Sequence, residues 1–118
     1  MSVKPSDFLD FAESVLSNND EISCRNAISR SYYSLYHSVC EELKHCPPTS
    51  HYGVISYLRS NKENNKESLD PMVMRKVAAI LEQTKKQRQV ADYDLNHSID
   101  DTDAKSTILL VKKGLTLL

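Results

Sequence analysis

The chain holds only two glycines, Gly53 and Gly114. That leaves few positions for the tight turns that β-hairpins prefer, and it leaves no Gly-rich loop to cradle phosphates. The longest unbroken apolar runs, Val77-Ala78-Ala79-Ile80-Leu81 and Ile108-Leu109-Leu110-Val111, are far too short to cross a bilayer. Charge of one sign is also missing: 15 basic residues face 16 acidic ones for a net charge of −1. No global field therefore draws the protein toward a polyanion or a membrane, and any such site has to be local. The three cysteines are an odd number, which argues against a disulfide framework. The opening stretch MSVKPSDFLDFAES places acidic residues where a signal peptide needs an apolar segment, so a cytoplasmic location is expected, without membrane association.

What is present is an ordinary globular composition, 40% hydrophobic and 26% charged. A chain of 118 residues fits one domain over 1–118, and about two thirds of its surface can be buried around a core. Phe8, Ala12 and Val15 recur at helical spacing behind Ser6, so residues 6–17 read as a first helix ended by Asn18-Asn19-Asp20. Ile28, Tyr32, Leu35, Val39 and Leu43 predict a long second helix from Glu21 to Lys44, stopped by Pro47-Pro48. Tyr52, Ile55 and Leu58 mark a brief third helix, and the polar segment NKENNKES reads as a mobile loop. Asp70-Pro71 opens a fourth helix with the stripe Val73, Val77, Ile80, Thr84, Arg88, Ala91, in phase through Tyr93. Ser98 with Asp101 resembles a capping pair for a last helix along Ala104, Ile108, Val111, Leu115 and Leu118. With no strand alternation, the expected fold class is all-α.

Two constellations stand out. With Arg30 at zero on a helical wheel, Tyr33 falls near −60° and His37 near −20°, whereas the core stripe of the second helix lies between about 140° and 220°. Such a face lines a cleft, contacts a partner subunit, sets an arginine and an imidazole beside a phosphate, or is simply an exposed side with a stacked tyrosine. The second constellation is Arg88-Gln-Val-Ala-Asp92-Tyr93. Arg88 is in phase with an apolar stripe and needs a partner: an ion pair to Asp92, a phosphate held in a groove, or both. The basic run Arg75, Lys76, Lys85, Lys86 and Arg88 reads first as a solvated helix face. Cys40, His45, Cys46 and His51 are zinc-type ligands in one window, but their spacing does not match a metal site, and Cys40 is expected to be a semi-buried small hydrophobe. No metal and no cofactor are expected.

RNAISRSYYSLYHSV, residues 25–39, resembles the signature of the HEPN family, the higher eukaryotes and prokaryotes nucleotide-binding domain. RQVADYD, residues 88–94, is similar to that family's second signature, an arginine followed by Ala-Asp-Tyr near a helix end. The resemblance covers most of the chain. It implies an antiparallel up-and-down four-helix bundle with a short extra helix, paired as a homodimer with a cleft at its interface. It also implies RNA or nucleotide binding, metal-independent ribonuclease activity in toxin-antitoxin or defence systems, and a nucleotidyltransferase-like or antitoxin partner.

The resemblance directs catalysis to Arg88, Asp92, Arg30 and His37, and RNA or nucleotide binding to Tyr33, Tyr93, Arg30 and Arg88. The family's catalytic arginine and histidine stand four to six residues apart. Here Asp92 and Tyr93 occupy the place of a histidine after Arg88, and His97 lies farther on. Arg30 and His37 have the right interval but sit in the earlier helix. The alternative is therefore a non-catalytic HEPN interaction or regulatory subunit that binds a protein partner or a nucleotide.

Overall fold

The computed structural model describes residues 2–60 and 62–118, and the regular elements among them are all helical. Five α-helices follow in chain order: α1 Pro5–Val15, α2 Glu21–Glu42, α3 His51–Arg59, α4 Pro71–Tyr93 and α5 Asp101–Leu117. A 3-10 turn, Leu16–Asn18, closes α1. Among the described residues there is no strand, and no helix is long and apolar enough to cross a membrane.

Local chemistry explains the ends. Pro5 takes the first position of α1, and the Asp7 carboxylate accepts a 2.7 Å bond from the Lys4 backbone N–H. Asn19 turns the chain in the left-handed region at φ 56°, a conformation asparagine tolerates. Asp20 then caps α2 by accepting from the Ser23 N–H at 2.9 Å. Asp70 does the same for α4 toward Met72 at 2.7 Å, with Pro71 at the first helical position as the spacing predicts.

Helix α2 is the central element, with α1, α4 and α5 packed against it and α3 packed on α4. Its stripe Ile28, Tyr32, Leu35 and Val39 is buried, as is Leu43 just past its end. Two cores share the helix. One gathers Tyr32, Leu35 and Val39 with Ile55, Leu58, Val77, Leu81 and Val111, and the other gathers Ala27 and Ile28 with Ala12, Ala91, Ala104 and Ile108. A methyl group at Gly114 would stand 3.0 Å from Leu35 Cδ1 and 3.2 Å from Ile80 Cγ2, so α5 crosses its neighbours where a hydrogen fits and a side chain crowds.

Helix α5 does not begin behind Ser98. Asp100 is its cap: the Asp100 carboxylate accepts from the Asp103 N–H, and the Asp103 carboxylate accepts from the Asp100 N–H, both at 3.0 Å. Ile99, immediately ahead of the cap, is buried in the same core as Ala104, which staples the chain at this register and not two residues earlier.

The segment NKENNKES is tethered and not a free loop. Its first residue, Asn61, lies outside the described residues. The buried Asn64 amide donates to the Tyr57 and Leu58 carbonyls at 3.0 Å each. Glu67 accepts from the Lys44 and His45 backbone N–H groups at 2.9 and 3.0 Å and from the Tyr57 hydroxyl. These bonds turn the chain after α2, which ends at Glu42, ahead of Lys44 and of the two prolines. Burial acts to raise the Glu67 carboxyl, but the Tyr57 hydroxyl and the two N–H groups outweigh it and hold the group below its ordinary 4.5. A carboxylate depressed in this way contributes stability above its unfolded value and loses it as pH falls through the folded one. In urea titrations from pH 7 down to about pH 3, the parent should lose stability below the ordinary carboxylate value. Glu67→Gln should be weaker at pH 7 and flatter over that interval; identical pH profiles would show that Glu67 does not hold this corner.

Candidate functional site

The site starts from a charge that the helix phase carries inward. Arg88 follows Val77, Ile80 and Thr84 along α4 and is only 9% exposed. Its Nη1 lies 3.5 Å from Asp92 Oδ2, so the expected ion pair along the helix is present. That carboxylate does not satisfy the whole fork, because the buried Nε has no hydrogen-bond partner among the described residues. Aromatic faces supply the remaining environment: the guanidinium carbon stands 5.6 Å from the ring centre of Tyr32, 5.7 Å from that of Tyr33 and 5.9 Å from that of Tyr93.

Asp92 ties this charge to α2. Its Oδ2 accepts from the Ser29 hydroxyl at 3.1 Å, and Ser29 Oγ in turn accepts from Arg30 Nη2 at 3.3 Å. Arg30 lies over the Tyr33 ring at 5.0 Å. His37 joins through rings, 6.0 Å from Tyr33 and 5.2 Å from Phe8. Arg30, Tyr33, His37, Arg88, Asp92 and Tyr93 therefore meet at one corner of α1, α2 and α4.

The Arg30, Tyr33 and His37 face does not turn straight away from the interior. Phe8 of α1 packs on it, all three residues are half-buried, and Tyr33 also leans on the main core. Shallow grooves flank Phe8. One of about 410 Å³ is lined by Val3, Lys4, Phe8, His37 and Cys40, and one of about 300 Å³ by Val3, Phe11 and Arg30. Cys40 is exposed and not semi-buried, at the lip of the first groove beside the start of α1. Tyr93 is 75% exposed at the opposite end of the cluster.

By sequence alone His51 is one of four zinc-type ligands in a single window. Among the described residues no group of three or more His, Cys, Asp and Glu side chains is placed to hold a metal ion. His51 instead belongs to the aromatic cluster: Nδ1 stands 2.6 Å from the Tyr32 hydroxyl, and its ring stacks on Tyr36 at 3.9 Å and 8°. Burial, and then the nearby Arg88, Lys85 and His37, hold its pKa below the ordinary 6.5, so the ring is neutral at pH 7. Burial pushes the Tyr32 phenol up strongly, and burial together with Cys40 pushes Tyr36 up to about 12.

In the sequence Arg25 stands out only as the first residue of a signature. It is buried, and its Nη1 donates to the carbonyls of Val90, Ala91 and Asp94 at 3.4, 3.0 and 3.1 Å, while Nη2 donates to that of His97. Glu21 balances the charge at 3.0 Å. These acceptors are carbonyls of the last turn of α4 and of the turn beyond it, where Val90 and Asp94 also accept the Asp94 and His97 backbone N–H groups, so Arg25 fixes where Asp92 and Tyr93 stand against α2. A signal for it existed: on the α2 wheel Arg25 falls near 220°, within the apolar stripe, as Arg88 does on α4.

Comparison with known proteins finds no match: no family model, no curated protein and no solved structure is similar to this chain.

Arg25→Ala should cost about 2 kcal/mol or more, because several charge-assisted bonds disappear, among them the buried one to the Ala91 carbonyl. Amide hydrogen exchange should show the loss centred on residues 90–97. A uniform loss across all helices, or none, would contradict the clasp.

Proposed function

We propose that this protein is a HEPN-like domain, an antiparallel up-and-down four-helix bundle with α3 as the short extra helix, which pairs as a homodimer and binds RNA or a nucleotide. The carrying observation is the buried Arg88 guanidinium, with an unpartnered Nε, set among Tyr32, Tyr33 and Tyr93 beside Arg30. A cation fork next to aromatic faces is what a phosphate and its attached base require. Cytoplasmic RNA is the ligand class this reading favours, with a nucleotidyltransferase-like or antitoxin protein as the partner that the motifs imply.

Metal-independent cleavage is the catalytic form of the same reading. In-line attack by a ribose 2′-hydroxyl forms a bond from that oxygen to phosphorus as the bond to the 5′-oxygen breaks; it needs a base for the 2′ proton, which the protonated base can return to the departing 5′-oxygen, and a cation for the charge on the non-bridging phosphate oxygens. His37, half-buried beside Tyr33, is the candidate base, and Arg88 or Arg30 the candidate stabiliser. Asp92 serves in either form by orienting Arg88 and receiving the Ser29 hydroxyl.

A second reading, a non-catalytic interaction or regulatory module, is favoured by Asp92 itself. It stands where the resemblance calls for a histidine, and it already pairs with Arg88.

The test is incubation of purified protein with mixed cellular RNA in EDTA, alongside Arg88→Ala and His37→Ala proteins checked for folding by circular dichroism. RNA should be retained by the parent and released by Arg88→Ala. Cleavage lost in both variants makes the protein a ribonuclease, and intact but bound RNA makes it a binding domain. No retention by the parent would leave the interaction module.

A further inference from the structure

Tyr32 is fully buried, and its hydroxyl meets a single partner among the described residues, His51 Nδ1. A phenol proton pointed elsewhere would be a buried donor without an acceptor, so the phenol donates and Nδ1 accepts. The neutral imidazole then carries its own proton on Nε2. That nitrogen has no hydrogen-bond partner among the described residues, and it is not sealed from solvent.

The ring is also held in place. It stacks on Tyr36, and His51 opens α3 directly behind Ser50, whose hydroxyl accepts from the Gly53 N–H at 3.1 Å. Arg88 lies over the same Tyr32 ring from the α4 side; its Nε is sealed from solvent, whereas its Nη2 has no hydrogen-bond partner among the described residues and is not sealed. The titratable groups that bear on His51 are His37 of α2 and Lys85 and Arg88 of α4, none of them acidic. Two reachable hydrogen-bond donors, the neutral His51 Nε2 and the cationic Arg88 Nη2, thus border one tyrosine and lack an acceptor among the described residues.

We propose that His51 is a ligand-binding residue of this site, presenting Nε2–H to an oxygen of a phosphate group held by Arg88, with Tyr32 as its positioning residue. The inference rests on the reading that this corner binds RNA or nucleotide phosphate, and it adds which further side chain meets the phosphate and in which tautomer. A neutral donor attracts the anion without being titrated near neutral pH. With the proton on Nε2, His51 is not the base for a 2′-hydroxyl, and that task stays with His37.

The test is imidazole nitrogen NMR on the full chain, titrated with inorganic phosphate and separately with adenosine 3′-monophosphate. The free protein should show His51 protonated on Nε2 at pH 7.5, and Tyr32→Phe should dissolve that preference. Both ligands should shift the Nε2 signal. His51→Gln, whose amide can still donate, should bind within a few-fold of the parent, and His51→Phe should bind about tenfold or more weakly, the scale of a lost bond to a charged group. A His51 proton on Nδ1 would overturn the proposal. Binding unaffected by His51→Phe but abolished by Arg88→Ala would overturn the role of His51 while leaving the site intact. No response of the parent to either ligand would remove the phosphate site and this role together.

Discussion

The arrangement turns on one guanidinium that helix phase carries out of water. Arg88 belongs to an apolar stripe by position, and its charge must be met by whatever surrounds it. One carboxylate at 3.5 Å and three tyrosine faces meet it in part, and its Nε is left over. Packing alone would be served better by an apolar side chain of similar length. That incompletely met charge, set beside Arg30, His37 and His51, is what supports the proposal of an anionic ligand at this corner.

Helix α2 makes that corner by serving both packing and chemistry along one length. Its stripe supplies the cores, while Ser29, Arg30, Tyr33 and His37 run beside them and reach α4 and α1. Tyr32 belongs to both, since its ring fills the core and its hydroxyl reaches His51. Arg25 and Glu67 act at opposite ends. Arg25 ties the end of α4 to the start of α2, and Glu67 ties the segment before α4 to the end of α2, so the register between the two helices that carry the site is held twice.

Much of this was legible because it is periodic. The α2 stripe, the Asp70-Pro71 start of α4 and the inward phase of Arg88 are properties of spacing, and the helices follow them. What misled was local pattern with two solutions: Ser98–Asp101 and Asp100–Asp103 both have capping spacing, and the burial of Ile99 decides between them. What stayed hidden was contact across sequence distance. Glu67 and Asn64 look like loop residues until Lys44, His45, Tyr57 and Leu58 receive them. His51 looks like a stray ligand until Tyr32, 19 residues earlier, points its hydroxyl at it. Phe8 shows the same limit, because nothing in the α2 wheel says that another helix will cover His37.

The most direct measurement replaces the charge pair by apolar and neutral groups of similar shape, Arg88→Met with Asp92→Asn, and follows two quantities in one protein: the urea midpoint and the affinity for single-stranded RNA in EDTA. If Arg88 is kept for a ligand, the double variant will be as stable as the parent or more so, and its RNA binding will be lost. A variant that loses several kcal/mol of stability while RNA binding is unchanged would show Arg88 to be a structural ion pair, and would contradict the account.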